Sequence, residues 1–150
     1  MKKGTYSLII FLKDSREINI GKLGKFFFKR GYYVYNGSAL GGFGRVKYHL
    51  KENKINRWHI DYFLEKASIV KIILAEVKEN YEHEITYRLL KKDNAEIIVK
   101  GFGSSDCNRC LSHLIYFNES PKIEEVYQEL CLNYKVLKTT DFKDMQTFKI

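Results

Sequence analysis

Arg45 and His49 stand four positions apart in a stretch that predicts a helix over residues 45–51. That spacing puts both side chains on one face. The Arg45 guanidinium offers a planar fork that matches a phosphate, and His49 titrates near neutral pH and can move a proton. Taken alone, such a pair is more often a surface accident. The glycine-rich run before it, residues 37–44, lacks the Gly-Lys-Ser/Thr ending of a P-loop and the third glycine of a dinucleotide fingerprint, so no nucleotide cofactor is expected. A second chemistry-bearing group is Cys107-Asn-Arg-Cys110 with His113, which could supply three zinc ligands, His59 being available as a fourth. A structural zinc site normally brings two separated pairs, so a metal-free polar turn is the preferred reading. Tyr6 and Tyr35 by themselves read as strand aromatics.

These residues need a scaffold. Residues 4–12 predict a strand, 16–23 a second, and 25–35 a third with a bend at Gly31; 37–44 break regular structure. Asn56 is expected to cap a helix running through Trp58, Tyr62 and Glu65. Within it Trp58 and Tyr62 pack, and His59 and Asp61, on different faces, are both candidates for the cleft. Residues 68–77 form a continuous apolar strand, and 81–92 an amphipathic helix with Ile85 and Leu89 inward. Short strands are expected over 95–99 and 111–117. Ser120-Pro121 opens a last helix reaching residue 134 or 137, with Cys131 in its core. The sum is an α/β or α+β arrangement in one domain.

Charge adds a partner. The 150 residues carry a formal net charge of +8, yet residues 1–58 hold 13 Lys/Arg against 3 Asp/Glu and the remainder 13 against 15. A basic field on one part of a chain draws polyanions. The candidate contacts are Lys29, Arg30, Lys47, Lys51 and Arg57. The bland alternative is a solvated lysine-rich surface. The Met1-Lys2-Lys3 start and the apolar run behind it end at Lys13-Asp14 without a cleavage site, and no apolar run reaches the roughly 18–20 residues of a span. No membrane association is expected. Three cysteines in a chain of this length favour a reducing, cytoplasmic setting.

Gly4-Thr-Tyr6 and Tyr35-Asn-Gly37, followed by Arg45, His49 and a later helical glutamate, resemble the GIY-YIG nuclease superfamily. The strings Gly31-Tyr-Tyr-Val-Tyr-Asn-Gly-Ser-Ala-Leu-Gly41, Trp58-His-Ile-Asp-Tyr62 and Gly101-Phe-Gly-Ser-Ser-Asp-Cys107, with Ser112-His-Leu114, resemble a small prokaryotic, largely archaeal, branch of it whose function is undefined. The resemblance implies a small central, mainly antiparallel sheet flanked by helices, and phosphodiester hydrolysis with one divalent metal, Mg²⁺ or Mn²⁺. It implies that Tyr6 and Tyr35 are the paired active-site tyrosines, Arg45 the phosphate contact and His49 a proton-transfer group. It also implies a glutamate metal ligand. Glu84 is favoured because it opens the amphipathic run of its helix, with Glu82 the second choice; a pair between Glu84 and Arg88 is the bland reading. The chain departs from the pattern in two ways. The tyrosines are 29 positions apart, which makes residues 16–28 an insertion, and polar Asn36 stands where isoleucine is usual. The two leading functions are a metal-dependent DNA endonuclease and a non-catalytic nucleic-acid-binding module on the same fold. RNA stands as an alternative substrate, and a protein-interaction domain is a third reading.

Overall fold

The computed structural model describes residues 3–51, 54–103 and 111–138. Strand β1 (Gly4–Leu12) lies at the centre of a five-stranded antiparallel sheet ordered β6-β4-β1-β5-β7, from β4 (Gly31–Ala39), β5 (Ser68–Glu76), β6 (Leu114–Phe117) and β7 (Tyr134–Lys138). A strand covered on both faces reads as a near-continuous apolar run, as β1 does. Its alternate side chains serve two cores. Tyr6, Leu8, Ile10 and Leu12 join Tyr33, Tyr35 and Leu74 on the face covered by α1 (Gly44–His49) and α2 (His59–Leu64). Ile9, Val34, Ile73 and Ala75 point to the other face, under α3 (Glu82–Leu90) and α4 (Glu124–Glu129). The architecture is α+β, with the central antiparallel sheet the sequence predicts.

Residues 16–28 leave the central sheet. They form a hairpin of β2 (Arg16–Asn19) and β3 (Lys25–Phe28) joined by a 3-10 turn at Gly21–Leu23, where Gly21 and Gly24 take positive φ. The hairpin contributes Ile18, Ile20 and Phe28 to the first core. Because β1 and β4 pair without interruption, from Gly4↔Ala39 to Leu12↔Gly31, the insertion lengthens the connection and leaves the tyrosines in register.

Several boundaries differ from expectation. The predicted strand over 16–23 stops at Asn19. That over 25–35 is two strands in two sheets, divided at Gly31 (φ 147), and the second continues through Gly37 to Ala39. The second helix begins at His59, and Asn56 does not cap it; its amide reaches Glu65 instead. Residues 95–99 contribute one isolated bridge, Glu96↔Tyr116, because the chain bends at residues 98–99 and leaves β6. The last helix ends at Glu129. Beyond it Cys131 adopts a left-handed turn (φ 56), exposed and not in the core, and the chain returns as β7 along β5. The free edge of β5 supplied a pairing partner that outweighed the helical reading of residues 130–137.

Candidate active site

Tyr6 pairs with Gly37 and Leu8 with Tyr35, so the tyrosines are diagonal neighbours on one face of two adjacent strands. Two glycines make room for them. A Cβ on Gly37 would lie 2.3 Å from the Tyr6 hydroxyl, and one on Gly103 (φ 67) 2.8 Å from the Tyr35 ring. The second triplet therefore ends in glycine because the first triplet's tyrosine lies across it. Burial raises the pKa of both phenols. For Tyr6, well above its usual value, Tyr35 and Glu82 add to the effect and Arg45 opposes it.

Helix α1 carries Arg45 and His49 toward these rings. The Tyr6 hydroxyl lies 2.9 Å from His49 Nε2, and His49 Nδ1 lies 3.3 Å from Asp61 Oδ1. Asp61, three residues into α2, accepts from the Arg57 and Trp58 backbone N–H groups at 2.8 and 3.0 Å, thereby tying down the helix start. Burial pushes the Asp61 carboxyl up. The hydrogen bonds from His49, Trp58 and Arg57, with Lys54 3.5 Å away, outweigh it and hold the group down at about 2. Burial lowers the His49 pKa against the pull of Asp61, so the ring is neutral. An ionised carboxylate only accepts, which assigns the His49 proton to Nδ1 and makes Tyr6 the donor to Nε2. Asp61, His49 and Tyr6 form a buried hydrogen-bonded series, with exposures of 0, 3 and 0%. Arg45 is less enclosed: its Nη1 donates to the Ser38 carbonyl at 3.1 Å and its guanidinium lies 4.7 Å from the Trp58 ring centroid.

The sequence left Asp61 open and took Trp58 as packing alone. An acid at the third position of a helix is a legible start signal, but its contact with a histidine twelve residues earlier depends on how α1 meets α2.

Of the two glutamates, Glu82 is the one on the buried side of α3. It lies in phase with Ile85, Thr86 and Leu89, the buried stripe of α3, and its charge reaches both tyrosines. Glu84 is turned about 160° from that stripe by helical geometry. It pairs with Arg88 at 3.1 Å on the solvent side, in the arrangement the bland reading described. The preference for Glu84 does not fit this geometry. The i, i+3, i+4, i+7 pattern of Glu82 was the available signal.

The family model described as "Domain of unknown function DUF123" matches residues 5–136. The chain belongs to the DUF123 family. No curated protein and no solved structure matches it.

In this DUF123 chain Glu82 also meets two histidines. Its carboxylate oxygens lie 3.9 Å from His83 Nε2 and 3.8 Å from His113 Nδ1, and one ligand atom from each of the three residues falls within 4.8 Å of the others. His113 is buried, and its Nε2 has no hydrogen-bond partner among the described residues. The group thus combines a carboxylate with an orphaned imidazole nitrogen, a donor set that suits a divalent ion. Burial lowers the His113 pKa, with Glu82 opposing and His83 assisting. Of the zinc candidates, Cys107 and Cys110 lie outside the described residues, and His59 Nδ1 accepts from the Gly103 N–H at 2.9 Å.

The basic residues divide into two groups. Lys51 and Arg57 lie over the Tyr48 ring at 5.5 and 5.3 Å, Tyr48 meets Trp58 edge-on, and Lys47 shares α1 with Arg45. Lys29 and Arg30 precede the other end of β4, a strand's length or about 26 Å away. There Lys29 is paired with Glu96 at 2.7 Å and Arg30 lies over Phe11. Asn36, the departure from the apolar pattern, is buried but satisfied. It accepts from Ser7 at 2.7 Å and donates to Thr86 at 3.0 Å, while Tyr127 closes on Ser7 at 2.7 Å. This network pins β1 and β4 to both covering helices. No described helix is long and apolar enough to cross a membrane.

Proposed function

We propose that this chain is a metal-dependent endonuclease that hydrolyses phosphodiester bonds in DNA. The observation that carries the reading is the Asp61–His49–Tyr6 series beneath Arg45, with Glu82 as the acidic group near both tyrosines. The resemblance of the tyrosine triplets, Arg45 and His49 to the GIY-YIG nucleases supports it. Arg45 contacts the scissile phosphate, and the Trp58 ring beneath its guanidinium keeps the fork in place. As an attacking water gives a proton to the Tyr6 oxygen, Tyr6 passes its own proton to His49 Nε2. The fixed charge of Asp61 stabilises the imidazolium that results. Burial of the series excludes bulk water from that path. The Tyr35 hydroxyl serves as a second donor at the reacting phosphate. A divalent ion, Mg²⁺ or Mn²⁺, on Glu82 would neutralise charge developing on the phosphate oxygens.

Glu82→Gln is expected to stop cleavage of duplex or branched DNA while DNA binding persists, and a chelator should act likewise. Glu84→Gln should leave both intact, since its exposed pair with Arg88 is screened by solvent and lies away from the tyrosines. Arg45→Ala should weaken binding as well as rate, because its charge acts on the phosphate in ground and transition states alike. Gel-based cleavage and fluorescence-anisotropy binding measure the two quantities. Cleavage by the Glu82→Gln protein would sink the metal-ligand assignment. Binding without cleavage of DNA or RNA under any metal would leave a nucleic-acid-binding module in place of the enzyme.

A further inference from the structure

Glu82, His83 and His113 bring one carboxylate and two imidazoles together at the start of α3. His83 follows Glu82 on the helix, and His113 arrives from the segment just before β6. The backbone fixes that approach, since the Asn36 N–H donates to the His113 carbonyl at 3.1 Å and the His113 N–H to the Phe102 carbonyl at 2.9 Å. Glu82 is held as well. Asn80 Oδ1 accepts from its backbone N–H at 2.9 Å, and the Asn80 amide donates to Oε1 at 3.2 Å. The orphaned nitrogen is His113 Nε2, in a side chain only 2% exposed, and it is free to serve as the ring's ligand atom. A hydrated Mg²⁺ ion on one carboxylate gives no reason for two imidazoles at that place.

We infer that Glu82, His83 and His113 form a two-histidine, one-carboxylate site that takes a later transition-metal ion such as Zn²⁺ or Co²⁺ in preference to Mg²⁺. This rests on the reading of Glu82 as the metal ligand and changes the class of ion assigned to it. Imidazole nitrogen favours the later first-row divalent ions, whereas Mg²⁺ prefers oxygen and keeps its waters. The size is close. Two bonds of about 2.1 Å span about 4.2 Å, against the 4.8 Å within which one ligand atom from each of the three residues falls. Three protein ligands leave positions on the ion for water or a phosphate oxygen, as catalytic rather than structural sites do.

The test is a titration of the metal-free full chain with Co²⁺, read by its visible d–d absorption, with Zn²⁺ and Mg²⁺ as competitors. It is repeated on His83→Ala, Glu82→Gln and the Cys107→Ser/Cys110→Ser double variant. One equivalent of Co²⁺ is expected, displaced by Zn²⁺ and retained in millimolar Mg²⁺. His83→Ala, at a partly exposed position that folding tolerates, and Glu82→Gln should each weaken binding by at least about tenfold, the lower bound for losing even an outer partner of a metal. The double cysteine variant should bind as the parent does. No Co²⁺ band, ready displacement by Mg²⁺, indifference to His83→Ala, or loss of binding in the cysteine variant each overturns the inference. The two readings fail separately. DNA cleavage supported by Mg²⁺ and unaffected by His83→Ala would remove the transition-metal site and keep the nuclease. Co²⁺ held through Glu82 and His83 in a protein that cuts no nucleic acid would do the reverse.

Discussion

Asp61 has no exposed surface, yet it keeps its charge because four groups favour the ionised form: the His49 ring, two backbone N–H groups and Lys54. Two consequences follow at this residue. Asp61→Asn retains the shape and loses the charge that stabilises protonated His49, so the His49 pKa should fall further by NMR titration. DNA cleavage should drop by about two to four orders of magnitude, with substrate binding little changed. The second consequence is acid sensitivity. A carboxyl lowered from 3.8 to about 2 on folding gives stability that is fully present above pH 3.8 and lost as pH falls toward 2. The size is about 2 kcal/mol. His49, lowered below its ordinary 6.5, acts in the same direction earlier, because below 6.5 the unfolded chain binds the proton more readily than the folded one. Urea midpoints measured from pH 7 to 2 should therefore decline in two stages. In Asp61→Asn the second stage should be diminished.

Among the elements, the β1–β4 pair does most of the positioning. Nine consecutive residue pairs fix Tyr6 over Gly37 and Tyr35 beside Leu8, and the β2–β3 hairpin extends from their far end without disturbing that register. Gly37 has ordinary extended φ, so its requirement is steric. Gly37→Ala brings a methyl group to 2.3 Å from the Tyr6 hydroxyl. The ring must swing away, and its bond to His49 breaks. The variant should lose about 1–3 kcal/mol of stability, the usual range for overpacking. Its cleavage should fall to near the level of Tyr6→Phe. Full activity in a folded Gly37→Ala protein would dissociate the tyrosine's placement from catalysis.

For the molecule as a whole, a steep salt dependence is expected of any DNA complex, with log K falling by about 0.9 per phosphate contacted for each unit of log salt. The contacts should come from one end of the sheet. Replacing Lys47, Lys51 and Arg57 by Ala should reduce the slope by about 2 to 3. Replacing Lys29 and Arg30 should leave it nearly unchanged, since they flank the opposite end of β4 and Lys29 is paired with Glu96. Filter-binding or anisotropy titrations between low and moderate salt give the slopes. Equal effects from the two sets would mean that the nucleic acid runs the whole length of the sheet.

Local pattern determined the elements whose periodicity is strong: β1, β5, α3, and a helix presenting Arg45 and His49 on one side. Alternation and 3.6-residue spacing are properties of adjacent residues and need no tertiary partner. The short elements were decided by what they pack against. Residues 134–138 become a strand because β5 offers an open edge, and residues 95–99 make a single bridge because the chain bends away from β6 at residues 98–99. The same division holds at the site. Arg45 and His49 were set on one helix face by spacing, and Tyr6 and Tyr35 were named only through the resemblance of their triplets. The inward phase of Glu82 was legible in its spacing on α3; the bond of Asp61 to His49 and the approach of His113 to Glu82 and His83 were not. Each depends on the crossing of two elements distant in sequence. That crossing is set by burial of the two faces of one sheet and not by any local run of residues.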